Sequence, residues 1–301
     1  MRVTVIGAGA VGCYIGGLLG IAGHDVTLLG RPAHMHPIAA RGLILDLPEG
    51  EKNSPVKAVT DAASLTPADL VLVCVKSADT ENAGRELAPA LGTDTVILSL
   101  QNGVDNAERL SIVTGRPVVP AVVYVGVDMA APGRVGYHGG GRLLIGSGPQ
   151  SDVIAAALTQ AGIPTTVSAT VQQALWAKLT INCAYNALSA VAQIPYASMM
   201  SVNGAKEVIE QVVSECQTVA HACNVTLPAN MLQQVLDVAV LMPDQKSSTA
   251  QDLFRGRPTE IDFLNGYVVQ KGRELNIPTP TNLALQTMVK LSEKTRCVER
   301  V

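Results

Sequence analysis

Aromatic side chains are scarce in this sequence: Phe, Trp and Tyr together make up 3% of its 301 residues. So few rings leave no broad surface on which nucleic-acid bases could stack. An excess of one charge is missing as well. The formal net charge is −3 and no lysine–arginine cluster forms a tract, so no pull toward nucleic acid or an anionic membrane is expected. Long apolar runs are absent. Glycines interrupt residues 7–23, and no segment approaches the roughly 18 uninterrupted apolar residues of a membrane span. The chain is already strand-like at Arg2-Val3-Thr4, so no signal peptide is expected. The cysteines at 13, 74, 183, 216, 223 and 297 form no C-x-x-C pair and sit mostly in apolar contexts. They read as reduced core thiols of a cytoplasmic protein. The histidines show no H-E-x-x-H spacing. His34 and His36, two apart in an expected loop, are a weak signal, and no metal is expected.

What the chain does have is apolar mass. Hydrophobic residues make up 48% and charged residues 16%, enough for a large core in one big domain or two ordinary ones. Strand patterns at 2–6, 25–29, 43–47, 70–75, 95–100, 118–127 and 142–146 alternate with helical patterns such as 11–22 and 80–91. The run Leu70-Val71-Leu72-Val73-Cys74-Val75 is apolar throughout, as for a strand covered on both faces. This alternation predicts an α/β, Rossmann-like domain with a doubly wound parallel sheet over 1–168. Beyond it the strand pattern stops. Helical spacing at 171–192, 203–224, 231–241, 260–276 and 281–294 predicts an all-α domain over 169–301. These amphipathic helices can also support a homodimer, since dimer faces and core faces share the same pattern.

Gly7-Ala8-Gly9-Ala10-Val11-Gly12 fits G-x-G-x-x-G between a strand and a helix, the context in which that motif binds a dinucleotide. Gly7 allows the tight turn, Gly9 leaves room for a pyrophosphate, and Gly12 lets the helix approach the sheet. The free N–H groups of the helix start face the anion. The second strand ends at Leu28-Leu29-Gly30-Arg31. No acid stands there to bind ribose hydroxyls, whereas Arg31 can bond a 2′-phosphate, which points to NADP (NADPH) rather than NAD. An ordinary solvated arginine is the alternative.

Lys76 and Gln101-Asn102-Gly103 end two further strands, at tips that border the ligand crevice of such a sheet. Lys76 can reach a phosphate or ribose, and Asn102 can bond both cofactor and substrate, although either could be a routine turn residue. In the helical half, Lys178, Asn182 and Asn186 are spaced i, i+4, i+8 and form one polar stripe on an apolar helix. A solvated face is the usual origin of a stripe. A lysine with two amides also suits a small carboxylate or carbonyl ligand. Ser248 can bond a carboxylate. Glu260 and Asp262 are expected to open a helix, where the macrodipole favours acids.

Taken together these segments resemble the ketopantoate reductase (2-dehydropantoate 2-reductase) family. The matching pieces are G-A-G-A-V-G, Arg31, V-K at 75–76, Q-N-G at 101–103, W-x-K-L-x-x-N-x-x-x-N at 176–186, S-S-x-x-Q-D at 247–252 and T-E-I-D-x-x-N-G at 259–266. They come in the family's order and span nearly the whole chain. The resemblance implies NADPH-dependent reduction of 2-dehydropantoate to pantoate, a step of pantothenate biosynthesis. It implies Lys178 as proton donor with Glu260 beside it and beside the cofactor. It implies substrate contacts at Asn102, Asn182, Asn186 and Ser248. Cofactor contacts would come from Gly7, Ala8, Gly9, Ala10, Val11, Gly12, Arg31, Lys76, Asn102 and Val127. The family's best-known members carry one more substrate-binding asparagine, roughly where Tyr196 falls here. That departure keeps open a reductase for another branched or aryl 2-oxo acid. A non-catalytic NADP-binding redox sensor is the rival of another class.

Overall fold

The computed structural model describes the backbone of residues 1–298 and the side chains of residues 1–295. The chain divides into two compact units, Met1–Val171 and a second that begins at Gln172.

In the first unit the chain runs β1 (Arg2–Ile6), α1 (Ala10–Ile21), β2 (Asp25–Leu29), α2 (Pro32–Arg41), β3 (Leu43–Leu47), β4 (Gly50–Ser54), β5 (Lys57–Val59), β6 (Ala68–Val73), α3 (Thr80–Glu86) and β7 (Leu91–Ser99). It continues through α4 (Asn106–Thr114), β8 (Val118–Ala131), β9 (Arg134–Gly146), α5 (Ser151–Gln160) and β10 (Thr165–Ser168). The strands form one sheet in the order β4-β3-β9-β8-β7-β6-β1-β2-β5, with β10 on β9. From β8 to β5 every neighbour is parallel. Burial is two-faced, as the continuous apolar run requires. Leu70 and Leu72 pack with Val5, Leu28 and Leu19 on the α1 side. Val71 and Val73 pack with Ile97, Leu87 and Leu110 on the side of α3 and α4.

The sheet is more mixed than the alternation predicts. Two antiparallel pairs join it, β3 with β4 and β8 with β9. β8 and β9 have 14 and 13 residues, far longer than the expected segments. Their period of two is concealed by Gly126, Gly136 and the run Gly139-Gly140-Gly141, because glycine is depleted in ordinary strands. All three glycines of that run have positive φ, and the ladder slips register beside them. Two other expectations are corrected. The helix expected over 80–91 stops at Glu86 and gives way to a 3-10 turn at Ala88–Ala90, since Pro89 has no N–H to continue it. His34 and His36 lie on α2 and not in a loop; Pro32, with its fixed φ, starts that helix.

All described regular structure after β10 is helical: α6 (Val171–Ala192), α7 (Tyr196–Met200), α8 (Ala205–Ala222), α9 (Met231–Leu241), α10 (Ser248–Phe254), α11 (Asn265–Glu274) and α12 (Pro280–Val298). The helix expected from residue 260 begins five residues later. Leu264, at φ −109° and ψ −103°, separates a 3-10 turn (Ile261–Phe263) from α11. Glu260 and Asp262 therefore do not sit at an α-helix N-terminus. Asp262 instead accepts from Lys290 Nζ at 2.7 Å and Gln286 Nε2 at 2.6 Å on α12. No described helix is long and apolar enough to cross a membrane. Cys13, Cys74, Cys183, Cys216 and Cys223 are unpaired thiols; the Cys297 side chain lies outside the described residues.

Candidate active site

The strand order β7-β6-β1-β2 sets four candidate segments in a row along one edge of the sheet, with about 4.8 Å between adjacent strands. Asn102 follows β7, Lys76 follows β6, the glycine loop follows β1 and Arg31 follows β2. Each glycine of the loop has its own job. Gly7 has φ +87°, and a Cβ there would lie 2.4 Å from Val75 N. A Cβ on Gly12 would lie 2.6 Å from Gly7 O and 3.0 Å from Val5, so this glycine sets the approach of α1 to the sheet. At Gly9 a Cβ would meet nothing within 4 Å. Gly9 caps α1 without a side-chain bond, which leaves the first N–H groups of the helix facing open space. Helix starts of this kind, with N–H groups left unsatisfied, are where anions bind in other proteins. Val11 packs partly into the core beneath. Arg31 is exposed at the start of α2, whose first turn holds no acid. Val127 lies further along β8. Its side chain is partly buried and packs against the core that contains Tyr14.

Asn102 is held by its backbone. Its carbonyl accepts from Ser77 Oγ at 3.0 Å and from Asn106 Nδ2 at 2.6 Å. Asn106 Oδ1 in turn accepts from Thr80 Oγ1 at 2.9 Å, and Thr80 Oγ1 accepts from Gln101 Nε2 at 2.8 Å. Arg109 closes the set by donating to Ser77 O at 2.8 Å and to both Glu81 oxygens. This network ties the segment after Lys76 to the segment that carries Asn102. The Asn102 carboxamide itself has no hydrogen-bond partner among the described residues. Sequence reasoning missed Ser77, Thr80, Asn106 and Arg109. Polar residues in the first turn of a helix look ordinary, and nothing in their spacing marks them as one cluster.

In the second unit α6 carries Lys178, Asn182 and Asn186 on one face. Burial pulls the Lys178 ammonium down to about 8, and the negative charge of Glu260 opposes that fall. The two residues are thus electrostatic neighbours, although 82 positions separate them in the chain. Asn186 is 3% exposed, yet its carboxamide has no hydrogen-bond partner among the described residues. Its carbonyl accepts from Ser247 Oγ at 3.1 Å, and Ser247 N donates to Ser189 Oγ at 3.2 Å. Ser247 also caps α10 by accepting from Ala250 N at 3.0 Å. The first serine of the pair is therefore committed to holding α10 against α6. The second, Ser248, is exposed and available. Tyr196 is buried, with its ring 4.6 Å from that of Tyr185 on α6, and burial pushes its phenol up to about 12. Tyr185 donates to Val235 O at 2.8 Å.

Chemically, the first unit offers the N–H groups of a helix start and, at neighbouring strand tips, the cations Lys76 and Arg31. The second offers an ammonium whose pKa burial lowers to about 8, a carboxylate close enough to oppose that fall, and two carboxamides. Among the described residues no group of three His, Cys, Asp or Glu could hold a metal ion.

The family model described as ketopantoate reductase PanE/ApbA matches residues 3–150, and that for the C-terminal part of the same family matches residues 170–293. A 2-dehydropantoate 2-reductase of Vibrio cholerae is 34% identical over 98% of both chains. One of Halobacterium salinarum is 33% identical over 98% of this chain and 99% of that one. A crystal structure of a PanE/ApbA family ketopantoate reductase from Ralstonia eutropha superposes with a TM-score of 0.95 at 46% identity, covering 98% of this chain and 99% of that one. A D-mandelate dehydrogenase solved with NADH and anilino(oxo)acetate has a TM-score of 0.92 at 21% identity, a likeness of fold alone.

Proposed function

The chain belongs to the ketopantoate reductase family, and from that premise we propose that it reduces 2-dehydropantoate to pantoate with NADPH, using Lys178 as the proton donor. The observation that carries this reading is the polar face of α6: an ammonium and two carboxamides, with Glu260 acting on the ammonium.

NADPH, when bound, would supply the hydride for the carbonyl carbon of the 2-oxo acid. The main chain of Gly7, Ala8, Gly9, Ala10, Val11 and Gly12 would hold its pyrophosphate, and Arg31 its 2′-phosphate. Lys76, Asn102 and Val127 would hold the rest. Asn182, Asn186 and Ser248 would orient the carboxylate and hydroxyl of the substrate. Negative charge builds on the carbonyl oxygen as the hydride arrives. Lys178 Nζ stabilises that charge and donates its proton there, and solvent restores the ammonium afterwards. Glu260 keeps the lysine charged until that moment. A lysine pulled toward about 8 serves this step better than an ordinary one. It remains mostly protonated at pH 7, and it gives up its proton more readily.

The pH dependence follows with a definite sign. The acid form of Lys178 is required for reduction, so kcat/KM should stay level below about pH 8 and fall tenfold per unit above it. In the oxidative direction the neutral amine is the base, and the limb inverts. A reductive profile that stays flat to pH 9.5 would remove Lys178 from the proton transfer.

The deciding assay is oxidation of NADPH and of NADH with ketopantoate, pyruvate, 2-oxoisovalerate and phenylglyoxylate. The reading expects ketopantoate with NADPH to lead. Preference for phenylglyoxylate would favour the aryl-acid reductase, and preference for NADH would refute the role of Arg31. Tight NADP binding with no turnover on any acid would support a sensor.

A further inference from the structure

One buried polar chain links four helices of the second unit. Asn265, the first residue of α11, is fully buried. Its Nδ2 donates to Cys183 O on α6 at 3.0 Å and to Asn282 Oδ1 on α12 at 2.9 Å. Asn282 Nδ2 donates to Glu215 Oε2 on α8 at 2.8 Å. The Glu215 carboxylate also accepts from the main-chain N–H groups of Thr281 at 2.8 Å and Asn282 at 3.0 Å, at the start of α12.

Two facts give this chain a bearing on the site. Cys183 lies between Asn182 and Asn186, so Asn265 grips α6 in the middle of its polar stripe. Asn265 also stands five residues after Glu260, and the connection between them is stiff. Phe263 N donates to Glu260 O at 2.9 Å, Leu264 N donates to Ile261 O at 3.3 Å, and Ile261 is 1% exposed. On its other side the segment is held to α12, where Thr259 N donates to Glu293 at 2.8 Å and Asp262 takes Lys290. We infer that Asn265 is a positioning residue: its two donated bonds fix the turn that carries Glu260 against the middle of α6, and so aim the Glu260 carboxylate at Lys178.

Asparagine suits this place for a chemical reason. Two acceptors must be served by one nitrogen on a short stem. Aspartate has no hydrogen to give, leucine has no polar atom, and glutamine is one methylene too long for a packed core. The Asn265 carbonyl oxygen is buried without a partner, a cost that an apolar residue would avoid. The donors are what this residue contributes.

The inference rests on the reductase reading of Lys178 and Glu260, and its test separates the two. The full-length chain is used as wild type, Asn265→Ala, Asn282→Ser and Glu260→Gln, each checked for cooperative thermal unfolding. Lysines are reductively methylated with 13C-formaldehyde, and the Lys178 signal is titrated by NMR, which needs no turnover. In Asn265→Ala the Lys178 titration should move toward its position in Glu260→Gln. The kcat for the 2-oxo acid should fall about 10- to 100-fold, the scale of a misplaced catalytic group. NADPH affinity should fall no further than it does in Glu260→Gln, because the glycine loop and Arg31 are untouched. A folded Asn265→Ala with wild-type Lys178 titration and wild-type kcat would overturn the inference and leave the residue a purely structural one. Should Asn265→Ala not fold, Asn282→Ser, which withdraws one acceptor from the same nitrogen, is judged by the same readouts. If no 2-oxo acid is turned over by any form but the Lys178 titration still moves, the positioning stands and the reductase reading fails.

Discussion

Replacing Lys178 with alanine should lower kcat for the 2-oxo acid by at least ~100-fold, the low end of what a positioned acid contributes, while NADPH still binds. The ammonium is the one cation on the α6 stripe, and the two carboxamides beside it cannot replace a proton donor. Removing it takes away both the charge that meets the developing oxyanion and the proton that quenches it. Folding should not suffer in proportion, because the lysine resides where burial already disfavours its charge. Lys178→Arg sharpens the experiment. A guanidinium keeps the positive charge but holds its proton far above the working range. It should stay slow, and it should lose the alkaline limb near pH 8. Steady-state kinetics at pH 7 with saturating NADPH, together with the pH profile of each variant, measure both effects. A Lys178→Ala enzyme with near-normal kcat would move the chemistry elsewhere.

The second large effect concerns Gly9. Gly9→Thr should abolish useful affinity for NADPH without unfolding the protein. A Cβ at Gly9 meets nothing within 4 Å, so the folded chain accepts it. Threonine is about as good a helix cap as glycine, so α1 loses little. The added bulk stands where the pyrophosphate must approach the helix N-terminus. Losing one or two charge-assisted bonds at about 1.5–3 kcal/mol each weakens binding at least ~10-fold, and ~100-fold or more where two are lost. Gly7→Ala should fail differently. There φ is +87° and a Cβ would sit 2.4 Å from Val75 N, so the fold itself is damaged. Fluorescence titration of NADPH and thermal melts on both variants distinguish the two. If Gly9→Thr binds normally, the open space at Gly9 is not the phosphate site.

How much of this was legible in the amino-acid order varied with the physical signal. The run at 70–75 announced a strand buried on both faces because every residue is apolar. The stripe at 178–186 announced its helix because polar groups recur every fourth residue on an apolar background. The β8–β9 hairpin was obscured because its bulges are made with glycine, which has no side chain to display a period. Glu260 was recognised as part of a motif, but its neighbour Leu264 leaves helical geometry for reasons of packing that no local pattern displays. The pairing of Lys178 with Glu260 and the cluster around Asn102 are long-range facts. The first comes from the packing of helices and the second from the strand order, and no spacing along the chain reveals either. The two serines at 247–248 read as equivalent, and only the fold assigns one to capping and leaves the other exposed.

The anchoring of α12 by Glu215 bears on how the protein is made. The Glu215 carboxylate lies on α8 and is 9% exposed. Its three donors lie at residues 281 and 282, and the helix they begin runs on to Val298. A nascent or truncated chain without that helix would leave an ionised carboxylate among apolar side chains with nothing to offset it. Burial of Glu215 in the helical unit is therefore expected to wait until residues 281 and 282 have been made. A product terminated before residue 281 should be cut by protease faster than the full chain.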